Sequence, residues 1–195
     1  MKKLLLPLVL FLGLFVCAQA QETIDVDRVN FKSLRDNWVQ MEIQLKCGKN
    51  PDPQARNDRY VENIKVKAYL GYALKEKGKF DFYTSEVEIV VMEQGDDNNV
   101  YFYLPGLIVE RDQLSSIDPD YYFVEVSVND QLQPVSKKAR SSKLREDSVL
   151  ASMKSKADSE ASSNEHILMP IYYAPAEFTG RVDKLPIFLR KDVRD

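Results

Sequence analysis

Only a few residues in this sequence have the types and spacings that catalysis requires. His166 is the sole histidine among the 195 residues, and it lies in a serine-rich segment just before an apolar stretch. A histidine-based triad or a multi-histidine metal site would have to be built around this one side chain. The sequence lacks the glycine motifs of a nucleophile elbow or a phosphate-binding loop, and it contains 7 glycines in all. We therefore expect an exposed loop histidine and no enzyme activity.

Two pairs of acidic residues have the side-chain type of glycosidase carboxylates, although their separation cannot be obtained from the sequence. They are Glu86 with Glu88, and Asp81 with Glu110. Acids that alternate along a strand usually form its solvated face. A solvated face is therefore the interpretation we adopt, and a hydrolase is the third hypothesis for function.

The run Asp96-Asp97-Asn98-Asn99 is the best candidate for a cation site. Its carboxylate and amide oxygens are ligands that Ca²⁺ accepts, and it takes six to eight of them. The run lacks the alternating spacing and the central glycine of an EF-hand loop, and Asp and Asn are also favoured in hairpin turns. We expect a plain turn with no metal and no cofactor, and calcium binding stays open as the alternative.

The first 20 residues have the pattern of a secretory signal peptide. Lys2 and Lys3 precede the apolar residues 4–16, and residues 18–20 (Ala-Gln-Ala) place small side chains where a signal peptidase cleaves. Gln21 is then the first residue of the mature protein. The sequence predicts an exported protein, with the periplasm, the outer membrane surface and the medium all open as its final location.

Lipoprotein processing at Cys17 is the rival interpretation of the same segment. The bulky Val16 stands where a lipidation motif has a small residue, which disfavours this alternative. The remaining apolar runs fall short of the roughly 20 residues that a membrane-spanning helix needs, so no transmembrane anchor is predicted in the mature chain.

Charge also restricts the class of partner. The precursor has 27 Lys and Arg against 30 Asp and Glu, and removal of residues 1–20 leaves 25 against 30, a net charge of −5. This mildly acidic, mixed surface gives no electrostatic reason to expect nucleic acid or an anionic membrane as a partner.

Cys47 is the only cysteine that remains after residue 20, so the mature chain cannot form an intramolecular disulfide. An inert, partly buried thiol is the expected state. The neighbouring Lys46 and Lys49 keep a reactive thiol as the alternative, because nearby cations favour the thiolate.

Residues 60–93 predict a long β-hairpin. Apolar residues alternate with polar ones in its first half, Gly78 lies in a charged turn, and alternation resumes from Phe80. The apolar residues change parity between Thr84 and Glu86, and we predict a β-bulge there. The apolar positions of the first half are Ile64, Val66, Ala68, Leu70, Tyr72 and Leu74.

Similar alternation predicts further strands along the chain. The first begins at Ile24 and changes parity near Arg28, and the others lie at residues 37–46, 100–104, 107–109, 121–128, 167–173 and 185–189. About eight strands with turns between them indicate an all-β, antiparallel immunoglobulin-like sandwich, formed by residues 21–195 as a single domain. Other two-sheet folds fit the pattern almost as well.

Residues 136–166 differ in composition from the rest, being rich in Ser, Lys, Glu and Ala. Val149, Leu150, Met153 and Ala157 recur at helical spacing, which predicts a short amphipathic helix within residues 143–157, carried on a polar loop. A thin apolar stripe on such a helix would be better buried against a second copy than left in water, so a homo-oligomer is plausible.

Aromatic residues supply the remaining candidates for a contact surface. Trp38, the only tryptophan, falls on the polar phase of its strand, where it could stack on a sugar, anchor a partner or pack at a sheet edge. Several tyrosines also lie opposite the apolar parity, and these either line an exposed patch or stabilise the sheet. The candidate contact residues are Trp38, Tyr69, Tyr101, Tyr103, Tyr121, Leu150 and Met153, with Tyr173 as a further tyrosine open to the same two interpretations.

Three segments, residues 37–43, 61–91 and 121–126, together with the signal peptide, resemble a small secreted protein of Akkermansia-type gut bacteria that is encoded beside a type IV pilus-like gene cluster. The resemblance implies an immunoglobulin-like fold and an envelope protein associated with pilus-like assemblies. It supplies no catalytic residues. The chain departs from true pilins because its first apolar segment ends in a signal-peptidase site and lacks an internal acidic residue, which implies an accessory component.

These observations favour a non-enzymatic protein that works by protein–protein contact in the bacterial envelope. Its contact surface could be the aromatic face, an exposed strand edge or the segment 143–157. The alternative is a carbohydrate-binding module that uses Trp38 and the tyrosines as a stacking surface.

Overall fold

The computed structural model describes residues 23–160 and 163–190. The predicted signal peptide, residues 1–20, lies outside the described residues. The strands are β1 (Ile24–Ser33), β2 (Val39–Cys47), β3 (Tyr60–Ala73), β4 (Phe80–Glu93), β5 (Asp97–Leu104), β6 (Tyr121–Val128), β7 (Gln131–Leu132), β8 (Met169–Pro170) and β9 (Phe188–Leu189), and the α-helices are α1 (Gly106–Arg111) and α2 (Asp147–Glu160).

Within the described ranges the strands form two antiparallel sheets. Sheet A has the order β1-β2-β5-β8, and sheet B has the order β7-β6-β3-β4-β9. The all-β antiparallel sandwich predicted from the sequence is confirmed. Neither described helix combines the length and the apolar character needed to cross a membrane.

The inner faces of the two sheets share one apolar core. The alternating residues of β2 and β3 point into it with the parity that the sequence predicted, and each is almost fully buried. Burial of this many branched and aromatic side chains is the main stabilising contribution of the fold. Its largest members include Met41, Ile43, Leu45, Ile64, Leu70, Tyr83, Ile89 and Phe102.

One of the two predicted irregularities is present. The register of β1 against β2 shifts between Val26 and Arg28, where the parity changes. The bulge predicted between Thr84 and Glu86 is wrong, because β4 pairs with β3 through this region without a shift. The parity changes there because both faces of β4 are covered: Tyr83 points into the inner core and Phe82 packs on the outer face.

The polar region contains a helix, as predicted, but its limits are later in the chain. Helix α2 spans Asp147–Glu160, and residues 142–144 form a separate 3₁₀ turn. The extended structure predicted at residues 107–109 is wrong, since they belong to α1, which Pro105 precedes as N-cap.

The last two predicted strands are much shorter than expected. Only Met169–Pro170 forms β8, and only Phe188–Leu189 forms β9. Pro170 and Pro186 have no N–H group to donate to a neighbouring strand, which limits regular pairing around them. Most of the chain after residue 163 therefore lies on the sandwich as irregular structure.

Cys47 ends β2 and is buried. Its Sγ lies 3.8 Å from the carbonyl oxygen of Met92. Burial raises the pKa of the thiol to about 11, with a smaller contribution from the negative charge of Asp96. The inert thiol is thus favoured over the reactive one.

We predict that Cys47 in the folded mature protein reacts with a disulfide reagent at pH 8 about two orders of magnitude more slowly than after unfolding in urea. The reason is the smaller fraction of thiolate at a pKa near 11 than at the usual value for cysteine. Stopped-flow absorbance of the released thiolate measures both rates. Equal rates in the two states would contradict the buried position of this thiol.

Candidate functional site

The predicted aromatic contact face is not exposed. Trp38 is 9% exposed, and Tyr69, Tyr101 and Tyr103 are each 2% exposed or less. Tyr121 is half-buried. The outward parity of these residues was correct, but later segments of the same chain cover them, so for the four buried residues the structure agrees with the packing alternative and not with an exposed patch.

Helix α2 covers the outer face of sheet B. Its buried residues Leu150, Met153 and Ala157 form one apolar cluster with aromatic residues of β3, β4 and β6. The two predicted contact surfaces, the outward tyrosine of β3 and the apolar stripe of the helix, therefore contact each other. The aromatic members of this cluster are Tyr69, Phe82 and Phe123, with Phe80 and Tyr121 packed at its margin.

Charged residues hold the helix in place at the border of this cluster. Lys154 forms an ion pair with Glu125 of β6, and its Nζ lies 5.6 Å from the ring centroid of Phe123. Lys67 of β3 pairs with Asp158 of the helix at 2.9 Å. The Lys154–Glu125 pair is partly buried and therefore fixes the position of the helix more strongly than an exposed pair such as Lys67–Asp158 does.

The apolar stripe of α2 is consequently satisfied within one chain. The physical reason given for a homo-oligomer was that this stripe needed a second copy to cover it. Leu150 and Met153 are 8% and 5% exposed without one. The structure removes that reason.

The outer face of sheet A is covered by residues 169–182. The indole of Trp38 stacks on the ring of Phe178 with centroids 4.7 Å apart and an interplanar angle of 9°. The hydroxyl of Tyr103 and the side-chain amide of Gln40 both donate to the carbonyl oxygen of Thr179 at 3.0 Å. Trp38 is therefore a packed residue and presents no free stacking surface.

A second set of polar contacts holds the chain on sheet A at Asp183, directly after residues 169–182. The side-chain amide of Asn99 donates to the carboxylate of Asp183 at 2.8 Å, and the hydroxyl of Tyr101 lies 3.3 Å from the same oxygen. Burial raises the pKa of Tyr101, so its hydroxyl stays a donor. These bonds give the segment a defined register on the sheet, since each buried polar group requires its own partner.

Asp81 and Glu110, which were considered as glycosidase carboxylates, contact different neighbours. Burial and the negative charge of Asp112 raise the pKa of Asp81. The Arg111 guanidinium lowers the pKa of Asp112, and the Tyr83 hydroxyl also donates to Asp112 at 2.6 Å. Glu110 accepts a hydrogen bond from Asn37 at 2.9 Å. None of these side chains lines a cavity described below.

The remaining chemical candidates lie in structural positions. His166 is exposed on a turn with a φ of 62°, and its Nε2 is 3.5 Å from a carboxylate oxygen of Glu165. The turn predicted at residues 95–99 is shorter, because β5 already begins at Asp97, which pairs with Lys184 at 3.7 Å. Among residues 23–160 and 163–190, no group of three or more His, Cys, Asp or Glu side chains could hold a metal ion.

A lateral groove between the two sheets remains accessible. It has a volume of about 410 Å³ and lies beside the second half of β1, whose only strand neighbour among the described residues is β2. Phe31 and Tyr122 form its floor, with ring centroids 5.6 Å apart, and both are half-buried against the inner core. The groove is lined by Val29, Asn30, Phe31, Asp118, Pro119 and Tyr122.

The first half of β1 is closed by the chain itself. Residues 133–138 cross from the edge of sheet B to the edge of sheet A, where the hydroxyl of Ser136 donates to the carbonyl oxygen of Val26 at 3.0 Å. Lys138 in the same segment pairs with Asp27 at 2.7 Å. The edge of β1 is thus covered near its start and accessible from Val29 onward.

The backbone of the accessible half points its polar groups toward the groove. Leu34 donates its N–H to the carbonyl oxygen of Trp38 at 2.8 Å, so these two residues form a hydrogen-bonded pair at the end of the β1–β2 ladder. Hydrogen-bonded and non-hydrogen-bonded pairs alternate in an antiparallel ladder. Val29 and Phe31 therefore direct their N–H and C=O groups away from β2. Sequence reasoning named an exposed strand edge only in general, because strand order decides which strand has one.

A smaller apolar strip lies at the opposite edge of sheet B. Val90, Ile187 and Leu189 are 41%, 65% and 45% exposed. Pro186 lies in this edge and removes one backbone donor, which disfavours the addition of another strand. The groove beside β1 is the stronger candidate because it combines half-buried apolar side chains with backbone groups that point away from β2.

Comparison with known proteins agrees with the fold and goes no further. No protein-family model and no curated protein matches this chain. A crystal structure of a protein from Akkermansia muciniphila is similar, with a TM-score of 0.56 and 17% sequence identity over 89% of this chain and 98% of that one. The class shown is therefore an all-β sandwich. The organism of that crystal structure agrees with the resemblance to Akkermansia-type proteins, and the similarity itself is one of fold.

We predict that Met153→Ala lowers the free energy of unfolding by about 2–3 kcal/mol, because it leaves a cavity between α2 and sheet B. Val149→Ala on the same helix is the matched control, since Val149 is 38% exposed, and it should cost less than about 0.5 kcal/mol. Urea unfolding followed by circular dichroism measures both. Equal effects would contradict the packing of the helix.

We also predict that Trp38 fluorescence is shielded from iodide in the folded protein, because its ring is stacked on Phe178. The variant Phe178→Ala should raise the Stern–Volmer constant toward that of the urea-unfolded chain. Free access of iodide to the unaltered protein would show that residues 169–182 do not cover sheet A.

Proposed function

We propose that this chain is a non-enzymatic, exported protein that works by protein–protein contact in the bacterial envelope, as an accessory component of a pilus-like assembly. The observation that carries the proposal is the accessible second half of β1 beside an apolar groove. An exposed strand edge with available backbone groups is a common site at which an extended segment of another protein adds as a further strand.

Coverage of the outer faces supports this mode of contact. Helix α2 and residues 169–182 cover the two faces that would otherwise be broad surfaces for a partner. The lateral groove keeps Val29, Phe31 and Tyr122 only half-buried. A partner strand placed there would complete their burial and pair the edge of β1 at the same time.

The absence of enzymatic activity is part of the proposal. It is supported by the positions of the candidate groups: Asp112 is bonded to Arg111 and Tyr83, and Glu110 to Asn37. The carbohydrate-binding alternative was motivated by an outward Trp38. That indole is stacked within the chain, so no specific observation favours a glycan over a protein partner.

Site-specific photo-crosslinking in the cells that produce the protein tests the proposal. We expect a photoreactive amino acid at Asn30, which lines the groove, to form adducts with an envelope protein. The same amino acid at Lys156, on the exposed side of α2, is the control and should form none. Mass spectrometry identifies the partner and the attachment site.

Three results of this experiment distinguish the possibilities. Adducts from Asn30 to an envelope protein support both the function and the groove. Adducts from Lys156 alone would support contact but place it on another surface. Failure to obtain an envelope adduct at either position would contradict the proposed function.

A further inference from the structure

We infer that the groove beside the accessible half of β1 binds an extended protein segment in which apolar side chains alternate with acidic ones. The inference rests on the proposed function and names the chemistry of its partner. It follows from the way in which this chain already covers the first half of the same strand, and from the different charges along the two halves.

Residues 133–138 show how a segment binds at this edge. The first half of β1 carries Asp25 and Asp27, and the covering segment places Lys138 against Asp27 at 2.7 Å. Its polar contact to the backbone comes from Ser136, which donates to Val26. A hydrogen bond to the backbone and a matching charge are thus both used where the edge is covered.

The second half of β1 has the opposite charge. Arg28, which directly precedes this half, and Lys32 lie on the exposed side of the strand, and Asn30 lies between them. Arg28 is 3.8 Å from a carboxylate oxygen of Glu42, a long ion pair, and within the described part of the chain no ion pair involves Lys32. Because the covering segment pairs opposite charges at this edge, a strand added here should carry acidic side chains beside these two basic residues.

The inner side of the groove fixes which positions of the partner are acidic. Side chains that point inward meet the half-buried Phe31 and Tyr122, together with Pro119. The exposed carboxylate of Asp118 also lines this side and repels an acid placed there. Successive residues of a strand point to opposite faces, so the partner alternates apolar residues inward with acidic residues outward.

A second copy of this chain fits less well at the same edge. An antiparallel pair of β1 strands centred on Asn30 would place Arg28 of each copy opposite Lys32 of the other. Like charges directly opposite each other destabilise a strand pair. In this register Arg28 and Lys32 disfavour self-pairing and favour a different, acidic partner.

Two synthetic ten-residue peptides test the inference with the folded mature protein. In one, valine alternates with aspartate, and in the other, valine alternates with lysine. At low salt the aspartate peptide should bind about tenfold more tightly, measured by isothermal titration calorimetry, because two charge pairs change from attractive to repulsive between the peptides.

A matched pair of charge variants locates the effect. The double variant R28Q/K32E makes the exposed side of β1 negative around Asn30 and should invert the preference, so that the lysine peptide binds more tightly. The double variant K75E/K77Q changes the net charge equally in the β3–β4 turn and should keep the preference for aspartate. Inversion in both variants would show a net-charge effect and overturn the inference.

Amide hydrogen exchange supplies a readout of strand addition. Saturation with the aspartate peptide should slow exchange at Val29 and Phe31, whose N–H groups face the groove, and leave Asn30, already paired with β2, unchanged. Failure of both peptides to bind, equal binding, or protection elsewhere would overturn the inference. Adducts from Asn30 in cells would then still support the proposed function, so the two failures can be told apart.

Discussion

Each sheet of this protein carries an aromatic cluster on its outer face in addition to an apolar inner face, and the need to cover these clusters organises the rest of the structure. The inner faces bury each other, as in any sandwich. The outer faces carry Tyr69, Phe82 and Phe123 on sheet B and Trp38 and Tyr103 on sheet A, side chains too large and apolar to be left in water without a substantial loss of stability. The part of the chain that follows β6 provides the cover.

This arrangement explains why a region with the composition of a loop is ordered. Helix α2 has a thin apolar stripe, and isolated helices of its length are marginal in water. It becomes stable because Leu150, Met153 and Ala157 meet an aromatic surface that is already formed by three strands. Residues 169–182 are similarly held by the ring of Phe178 and by bonds to the carbonyl oxygen of Thr179. Order in the last third of the chain is therefore a consequence of the sandwich.

The cover of the outer faces also decides which features the sequence could predict and which it could not. Alternation at Ile64, Val66 and Leu70 fixed the inner face correctly, because burial on one face produces a two-residue repeat. At Phe82 and Tyr83 the repeat fails because both faces are buried, and it was misinterpreted as a bulge. Parity also placed the indole of Trp38 outward. It could not show that a segment 140 residues later covers this face, since cover by a distant segment leaves no local periodic signal.

The accessible edge of β1 raises the same question of which surfaces the chain covers. An edge strand that ends a sheet invites pairing with other chains, and proteins commonly place charged residues there to prevent it. Arg28 and Lys32 have this effect toward a second copy when the pair is centred on Asn30, because that register brings like charges together. Toward an acidic strand the same two charges are attractive. One pair of side chains can thus protect the edge from aggregation and select its partner, which accounts for an accessible groove in a chain that covers the aromatic clusters on both of its outer faces.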